Sequence, residues 1–268
     1  MKSLCLALFG AALLTQVQAT VVTKTISYRQ GDTELRGYLA YDDSLTGDKK
    51  APGVLVFPEW WGVADFVKGR TEALAKLGYV AFAADMYGDG QTTTDPKKAK
   101  ELAGAVAGKP SMGERAQAAY DQLIKTGLID ESKMAAIGFC FGGACSQILA
   151  YSGVPLKGMV SFHGALVPAS AEAAKQNQAK FLILQGALDP LVPEAARTAF
   201  LKSMDEGKFD YQFLSYSGAI HAFMNPDADK ARANGLEGVG YNPEVAARAW
   251  AQMQLFFKEI FNPSSQGT

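Results

Sequence analysis

Short apolar runs alternate with segments of helical spacing along nearly the whole chain of 268 residues. Runs such as VLVF, VAFAA and FLIL contain only apolar side chains, which is typical of parallel strands buried on both faces. The alternation predicts an α/β fold with a mainly parallel twisted sheet of about seven to eight strands and helices on both faces. Since no linker rich in Pro, Gly or Ser interrupts the pattern, we expect one domain.

The pattern also predicts where the elements lie. Thr23–Tyr41 predicts a β-hairpin with its turn at Gln30–Asp32, placed as an antiparallel edge of the sheet. The other expected strands lie within Gly53–Gly62, Tyr79–Asp85, Met134–Phe139, Leu156–Gly164, Lys180–Gly186 and Tyr211–Gly218. Expected helices are Asp65–Leu77, one or two within Lys97–Lys125, Gly142–Tyr151, Pro193–Met204 and Pro243–Phe261.

The first 19 residues have the pattern of a secretory signal peptide. Lys2 supplies the positive start, Leu4–Leu14 is apolar, and small residues lead up to Ala19. The apolar run is too short to span a bilayer, and the alternative is an N-terminal core strand. We expect residues 1–19 to be removed and residues 20–268 to form the domain. The mature chain is then exported, to the periplasm rather than the medium, and keeps no membrane attachment.

Composition excludes several classes of function. The net charge is −1 and Lys and Arg do not cluster, so we expect no nucleic-acid partner. The chain has two histidines, and no His or Cys spacing resembles a zinc site. We therefore expect no metal and no cofactor, and the sequence specifies no oligomeric state.

The segment GFCFGG at Gly138–Gly143 has the G-x-S-x-G pattern with Cys140 in place of serine. A nucleophile on this strand-to-helix turn has strained backbone angles, so neighbouring glycines prevent clashes. The residue after it, Phe141, presents its N–H to an oxyanion. The alternative is that Cys140 is a small buried thiol. A disulfide to Cys145 is disfavoured, because residues five apart on a helix point away from each other.

Other polar residues follow the carboxyl ends of the expected strands, where ligands bind in such sheets. Glu59 follows one strand, Asp189 another and His221 a third. Only His221 fits the chain order of nucleophile, acid and histidine. The earlier histidine, His163, is expected to be a hydrogen-bonded neighbour of the site.

These motifs together resemble the dienelactone hydrolase family of α/β-hydrolases over about Gly53–Phe261. The resemblance is carried by PEWWG at Pro58–Gly62, GYVAFAADMYGDG at Gly78–Gly90, GFCFGG, GALDPLVP at Gly186–Pro193 and GAIHAFMNP at Gly218–Pro226. It implies the α/β-hydrolase fold and a carboxylic ester hydrolase.

The resemblance also implies a role for each matching residue. Cys140 would attack a carbonyl carbon, His221 would carry the proton and Asp189 would hold the histidine ring. The N–H groups of Trp60 and Phe141 would form the oxyanion hole. Glu59 would help to ionise the thiol when substrate binds.

One departure from the family bears on the substrate. Family members that act on dienelactone bind its carboxylate with two arginines, and the matching positions here are Asp89 and Asn225. Dienelactone itself is therefore not the expected substrate. Trp61, Tyr87 and Phe223, together with the oxyanion residues, suggest an apolar pocket, although some of them could simply pack the core.

Three functions follow from these residues. The leading one is hydrolysis of a small-molecule ester, lactone or thioester through an S-acyl-enzyme on Cys140. The alternative is an exported protein that binds a small molecule on a hydrolase scaffold without catalysis. A redox role for Cys140 and Cys145 is weaker, since they lack the C-x-x-C spacing.

Overall fold

The structure is a computed structural model that describes residues 20–45 and 49–262. The predicted signal peptide lies outside the described residues. The strands are β1 (Val21–Gln30), β2 (Thr33–Asp42), β3 (Ala51–Phe57), β4 (Val80–Ala83), β5 (Ile129–Phe139), β6 (Gly158–Phe162), β7 (Lys180–Gly186) and β8 (Tyr211–Tyr216). They form one sheet in the order β1-β2-β4-β3-β5-β6-β7-β8, which confirms the predicted α/β class.

The predicted hairpin forms one edge of this sheet. β1 and β2 pair antiparallel from Val21 opposite Asp42 to Gln30 opposite Thr33. Gly31 turns the chain with φ 55°, a conformation that glycine adopts without a steric penalty. β2 then pairs antiparallel with β4, and all later pairs are parallel. The carboxyl ends of β3 to β8 therefore meet at one edge.

The helices cover both faces of the sheet. They are α1 (Asp65–Lys76), α2 (Pro96–Gly104), α3 (Pro110–Lys125), α4 (Phe141–Tyr151), α5 (Ala171–Gln176), α6 (Glu194–Glu206), α7 (Ala228–Ala233) and α8 (Pro243–Phe261). The break expected near Gly108–Gly113 separates α2 from α3. The short helices α5 and α7 were not predicted, because six residues are too few to show a helical period.

Two hydrophobic cores lie on opposite faces, and β3 contributes to both. Leu55 and Phe57 belong to the core that also contains α3 and α4 residues, whereas Val54 and Val56 belong to the core beneath α1 and α8. All four side chains are fully buried. Each contributes roughly 1.5–3 kcal/mol of burial free energy, so a continuous apolar run is what a central strand requires.

β5 is longer than predicted. Its first residues, beginning at Ile129, pair with Ala51 before an irregularity between Pro52 and Gly53 resets the register. Because polar residues follow Ile129, the pattern of apolar runs did not predict this extension. Among the described residues, none of the helices combines the length and the hydrophobicity that a membrane span requires.

Candidate active site

Cys140 lies on a sharp turn between the end of β5 and the start of α4. Its backbone has φ 52° and ψ −114°, a conformation that is strained for any residue with a side chain. Its N–H donates to the carbonyl of Phe162 at 3.1 Å, and its own carbonyl accepts from Gly143 N–H at 3.0 Å. The turn projects the thiol beyond the carboxyl end of the sheet. The N-terminus of α4, just after it, favours negative charge there.

Glycines around the turn allow the backbones to approach closely. A Cβ on Gly138 would lie 1.9 Å from the carbonyl oxygen of Gly142. A Cβ on Gly142 would lie 2.2 Å from the carbonyl oxygen of Phe57, and one on Gly143 would lie 2.4 Å from Ser161 Oγ. Larger residues would push α4 away from β3 and β6. These glycines therefore bring Cys140 close to the loop that follows β3.

His221 and Asp189 form a buried pair across two neighbouring strand ends. Nδ1 of His221 lies 2.8 Å from Oδ2 of Asp189, and both side chains are almost completely buried. The second carboxylate oxygen, Oδ1, accepts from the N–H of Leu191 at 2.9 Å. Because both oxygens have partners, the carboxylate cannot rotate freely, and it fixes the orientation of the imidazole.

Arg197 holds the loop that carries Asp189, a role that no sequence pattern predicted. From α6 its guanidinium donates to the carbonyls of Val192 at 3.0 Å, Gly186 at 3.1 Å and Ala187 at 3.2 Å. A planar group with five donors suits several carbonyls in one loop. A lone arginine in an amphipathic helix carries no pattern that would have revealed the role.

The remaining ring nitrogen of His221 is available for chemistry. Nε2 is buried and has no hydrogen-bond partner among the described residues. Burial opposes a charged ring, but the side chains of Cys140 and Asp189 outweigh it and raise the pKa of His221 to about 10. Cys140 and His221 line the same cleft. A charged imidazolium at this place stabilises negative charge that develops on the Cys140 sulfur during a reaction.

Glu59 is a further ionisable group of the cleft, next to Trp60 in sequence. It follows β3, is 3% exposed, and accepts a hydrogen bond of 2.5 Å at Oε2 from Nδ2 of Asn225. Burial raises the pKa of Glu59 to about 7, although Asn225 and the charge of His221 act in the opposite direction. A carboxyl group of this kind exchanges its proton near neutral pH.

His163 lies directly beside the pair but differs from its expected state. Its ring is 5.3 Å from the ring of His221 and 5.1 Å from that of Phe223. Neither ring nitrogen has a hydrogen-bond partner among the described residues, although a hydrogen-bonded histidine was expected. Burial lowers the pKa of His163 well below its ordinary value, so the ring is neutral.

A cleft of about 1050 Å³ opens above these residues. Cys140, Glu59 and His221 lie in it together with Trp60 and Trp61. One wall continues along Val63–Val67, and the other comes from the segment after His221. That second wall includes Ala222, Ala228, Ala231, Leu236 and Val239.

Four residues that the sequence associated with the substrate do not line this cleft. Tyr87, Phe141 and Phe223 are buried beside it, at 6%, 8% and 0% exposure. Asp89 points elsewhere and lies 3.7 Å from a guanidinium nitrogen of Arg36. Of the two positions where the family carries arginines, Asn225 alone faces the site. No arginine lines the cleft among the residues that the structure covers, and no group of three His, Cys, Asp or Glu there is arranged to hold a metal.

Comparisons with known proteins show which family this chain resembles. A family model described as the dienelactone hydrolase family matches residues 35–261. A relative from Saccharolobus solfataricus, named "Putative carboxymethylenebutenolidase", is 26% identical and covers 88% of this chain and 98% of its own length. A protein of the same name from Aquifex aeolicus is 27% identical over 87% of this chain and 96% of its own.

Solved structures add two further similarities. A dienelactone hydrolase-like promiscuous phosphotriesterase from metagenomic libraries is 37% identical, with a TM-score of 0.83 over 90% of this chain and 98% of its own. Esterase 2 of Thermogutta terrifontis is 17% identical, with a TM-score of 0.63 over 89% of this chain and 94% of its own. The second similarity shows a shared fold only.

Proposed function

Because the chain belongs to the dienelactone hydrolase family, we propose that it hydrolyses an ester, lactone or thioester with Cys140 as nucleophile. The observation that carries this proposal is the strained turn at Cys140 in the same cleft as the His221–Asp189 pair. A plain buried thiol needs neither the strained backbone nor an oriented base.

The first half of the reaction forms an S-acyl-enzyme. The Cys140 thiolate attacks the carbonyl carbon, and the carbonyl π electrons move to oxygen. The N–H groups of Phe141 and Trp60 stabilise this oxyanion. When the electrons return, the bond to the leaving oxygen or sulfur breaks. The His221 imidazolium gives its Nε2 proton to the leaving group and becomes neutral.

The second half releases the acid and restores the site. Neutral His221 takes a proton from a water molecule at Nε2, and the resulting hydroxide attacks the thioester carbonyl. The new tetrahedral intermediate uses the same oxyanion donors. It collapses to a carboxylic acid and the Cys140 thiolate, which stays paired with the imidazolium. Throughout both halves, Asp189 keeps Nδ1 protonated, so that Nε2 is the atom that accepts and gives the proton.

Glu59 has a supporting role in this proposal. It lies in the cleft with Cys140 and has a pKa of about 7, so at neutral pH it both accepts and releases a proton. We assign it the uptake of the Cys140 thiol proton as substrate displaces water from the cleft, and the return of that proton to the thiolate when the product leaves. Expulsion of water strengthens the interaction between the charged thiolate and His221.

The substrate class follows from the cleft walls. Aromatic and aliphatic side chains line the cleft, and Asn225 offers no positive charge to a carboxylate. The charged residues of the lining carry both signs: Lys68, Lys100 and Lys230 occur together with Asp65, Asp227 and Glu237. A carboxylate-bearing lactone such as dienelactone would lose its ion pairs there. The proposed substrate is therefore an uncharged ester, lactone or thioester with a sizeable apolar group. An uncharged aryl phosphotriester is a second candidate, because a 37% identical structure is named a promiscuous phosphotriesterase.

The test is hydrolysis of a series of p-nitrophenyl esters, from acetate to octanoate, by the wild type and by Cys140→Ala. We expect turnover by the wild type, a preference for the longer acyl chains and no turnover by Cys140→Ala. Mass spectrometry of the quenched reaction should show one acyl group on the wild type. A p-nitrophenyl phosphotriester is the second arm, and a carboxylate-bearing lactone is the arm expected to fail.

Cys145→Ala is the matched control, since it removes a buried thiol from the same helix. It should keep wild-type turnover. Equal turnover by the wild type and Cys140→Ala, or none by either, would reject the cysteine mechanism and favour a binding function. Export is tested separately: fractionation and N-terminal mass analysis of the full chain should find the mature protein outside the cytoplasm, beginning near Thr20.

A further inference from the structure

Tyr87 connects the two residues that carry the proposed oxyanion donors. Its hydroxyl donates a hydrogen bond of 3.0 Å to the carbonyl of Trp60. Its ring lies against that of Phe141, with ring centres 5.9 Å apart. Burial raises the pKa of Tyr87, so the phenol keeps its proton and acts as the donor. Tyr87 itself does not line the cleft, and any effect on catalysis must pass through its neighbours.

The backbone of Tyr87 is itself firmly held. Its N–H donates to Oδ1 of Asp85 at 2.8 Å, and the N–H of Gly88 donates to the same oxygen at 3.0 Å. Oδ2 of Asp85 accepts from the N–H groups of Gly90 at 2.8 Å and Arg36 at 3.0 Å. Four backbone N–H groups on one buried carboxylate make this loop a rigid support.

The loop after β3 needs such a support. It has no regular secondary structure at Trp60. The carbonyls of Glu59, Trp60 and Trp61 each accept a hydrogen bond from a different donor. Glu59 O accepts from Gly62 N–H at 3.2 Å, and Trp61 O accepts from Thr93 N–H at 3.1 Å. The carbonyl between them, that of Trp60, is held by the Tyr87 hydroxyl. The hydroxyl thus holds the Trp60–Trp61 peptide, which adjoins the Glu59–Trp60 peptide that carries the Trp60 N–H.

We propose that Tyr87 is a positioning residue that keeps the N–H of Trp60 aimed at the same point as that of Phe141. This inference rests on the proposed function, since it concerns the oxyanion of that reaction. Donors of an oxyanion hole contact the developing charge and contribute little to ground-state binding. The hydroxyl should therefore affect kcat and leave KM nearly unchanged.

The test compares Tyr87→Phe with the wild type in two reactions of Cys140. Hydrolysis of p-nitrophenyl butyrate forms an oxyanion, whereas alkylation by iodoacetamide displaces iodide at a saturated carbon and forms none. We expect kcat for the ester to fall about 10-fold, with KM within about twofold of the wild type. This fall in kcat is smaller than the one caused by removing a whole oxyanion donor, because the N–H of Trp60 is still present. The alkylation rate should stay within about twofold of the wild type, because the thiolate is unchanged.

Tyr151→Phe is the matched control. Its hydroxyl also donates to a backbone carbonyl, that of Val167 at 2.9 Å, but it lies on the far end of α4. Both variants should lose a similar few degrees of Tm, while Tyr151→Phe keeps wild-type kcat. A Tyr87→Phe enzyme with unchanged kcat would overturn the inference. Equal falls in ester turnover and alkylation would also overturn it, because they would show general damage to the site.

The same assay separates this inference from the proposed function. If wild-type turnover depends on Cys140 but not on the Tyr87 hydroxyl, the positioning role fails and the cysteine mechanism stands. If Cys140→Ala keeps the wild-type rate, the cysteine mechanism fails and the positioning role fails with it.

Discussion

Asn225 donates a hydrogen bond of 2.5 Å to Glu59 through a side chain whose orientation is fixed at both ends. Its Oδ1 accepts from the N–H of Asp227 at 2.9 Å, so Nδ2 is the atom that must face Glu59. An NH₂ group only donates, and Oε2 of Glu59 is therefore always an acceptor. When Glu59 is neutral, its proton resides on Oε1.

Glu59 should make the protein less stable as the pH rises from about 4.5 to about 7. Burial raises the pKa of Glu59 to about 7 from 4.5, so in this window the folded chain binds more protons than the unfolded chain. Between pH 5 and 7.5 we expect the free energy of unfolding of the wild type to fall by about 2 kcal/mol more than that of Glu59→Gln. Urea denaturation at both pH values measures this difference.

Glu59→Gln suits this comparison because its amide oxygen still accepts from Asn225. His221 is present in both proteins, so its own pH dependence cancels in the comparison. Its raised pKa gives a stabilisation that is complete below about pH 6.5 and is lost as the pH rises through about 10. Equal pH dependence of the wild type and Glu59→Gln would mean that Glu59 is already ionised in the folded protein at pH 5.

Asp189→Asn should abolish most activity while the fold is kept. The N–H of Leu191 would hold the Asn oxygen as it now holds Oδ1, so the Asn NH₂ would face His221. Nδ1 would then have to accept, and the proton would move to Nε2. An imidazole in this tautomer cannot take a proton from water, and kcat should fall at least about 100-fold. Ester kinetics and near-UV circular dichroism measure the two effects, and a loss below threefold would contradict the proposed role of Asp189.

Arg197→Ala should weaken catalysis without touching the cleft. The loop carrying Asp189 would lose its guanidinium donors, so the carboxylate would hold His221 less rigidly. We expect kcat to fall roughly 10-fold, with Arg197→Lys in between because an ammonium group cannot reach several carbonyls in one plane. Lys202→Ala on the same helix removes only an exposed ion pair and should behave as the wild type. If Arg197→Ala kept full kcat, the loop would have to be rigid by itself.

The strand ends at this site could be predicted because their signals are local. An apolar run, a glycine pair around Cys140 and a polar residue after each strand are all visible within a few positions. The order of nucleophile, acid and histidine then selects His221 over His163. The fold class follows from the same runs, since a strand buried on both faces has no position for a polar side chain.

The supporting residues could not be predicted because their partners are distant in sequence. Arg197 donates to backbone carbonyls, which every residue has, so no sequence pattern identifies its partners. Asn225 contacts a carboxylate 166 positions away. Tyr87 looked like a pocket residue because aromatic side chains near a site serve both binding and packing. An exposure of only 6% places Tyr87 among the packing residues, with its hydroxyl turned to Trp60 instead of the cleft.

His163→Phe should leave both activity and fold in place. The imidazole of His163 makes no hydrogen bond within the described part of the chain, and its lowered pKa keeps it neutral. It contributes a flat ring that packs edge-on against His221 and Phe223. Phenylalanine supplies the same ring without two unpartnered nitrogens, whose burial is costly. We expect kcat within about threefold of the wild type and an equal or higher Tm.

His163→Ala separates packing from chemistry. It removes the ring and leaves a cavity beside His221, so Tm should fall and kcat should drop as the His221 ring gains freedom. If the ring only packs, His163→Phe restores what His163→Ala loses. If His163 carries a proton, both variants fail alike, and the pH profile of kcat/KM loses an ionisation in each. Ester kinetics from pH 5 to 9 on the three proteins distinguish these outcomes.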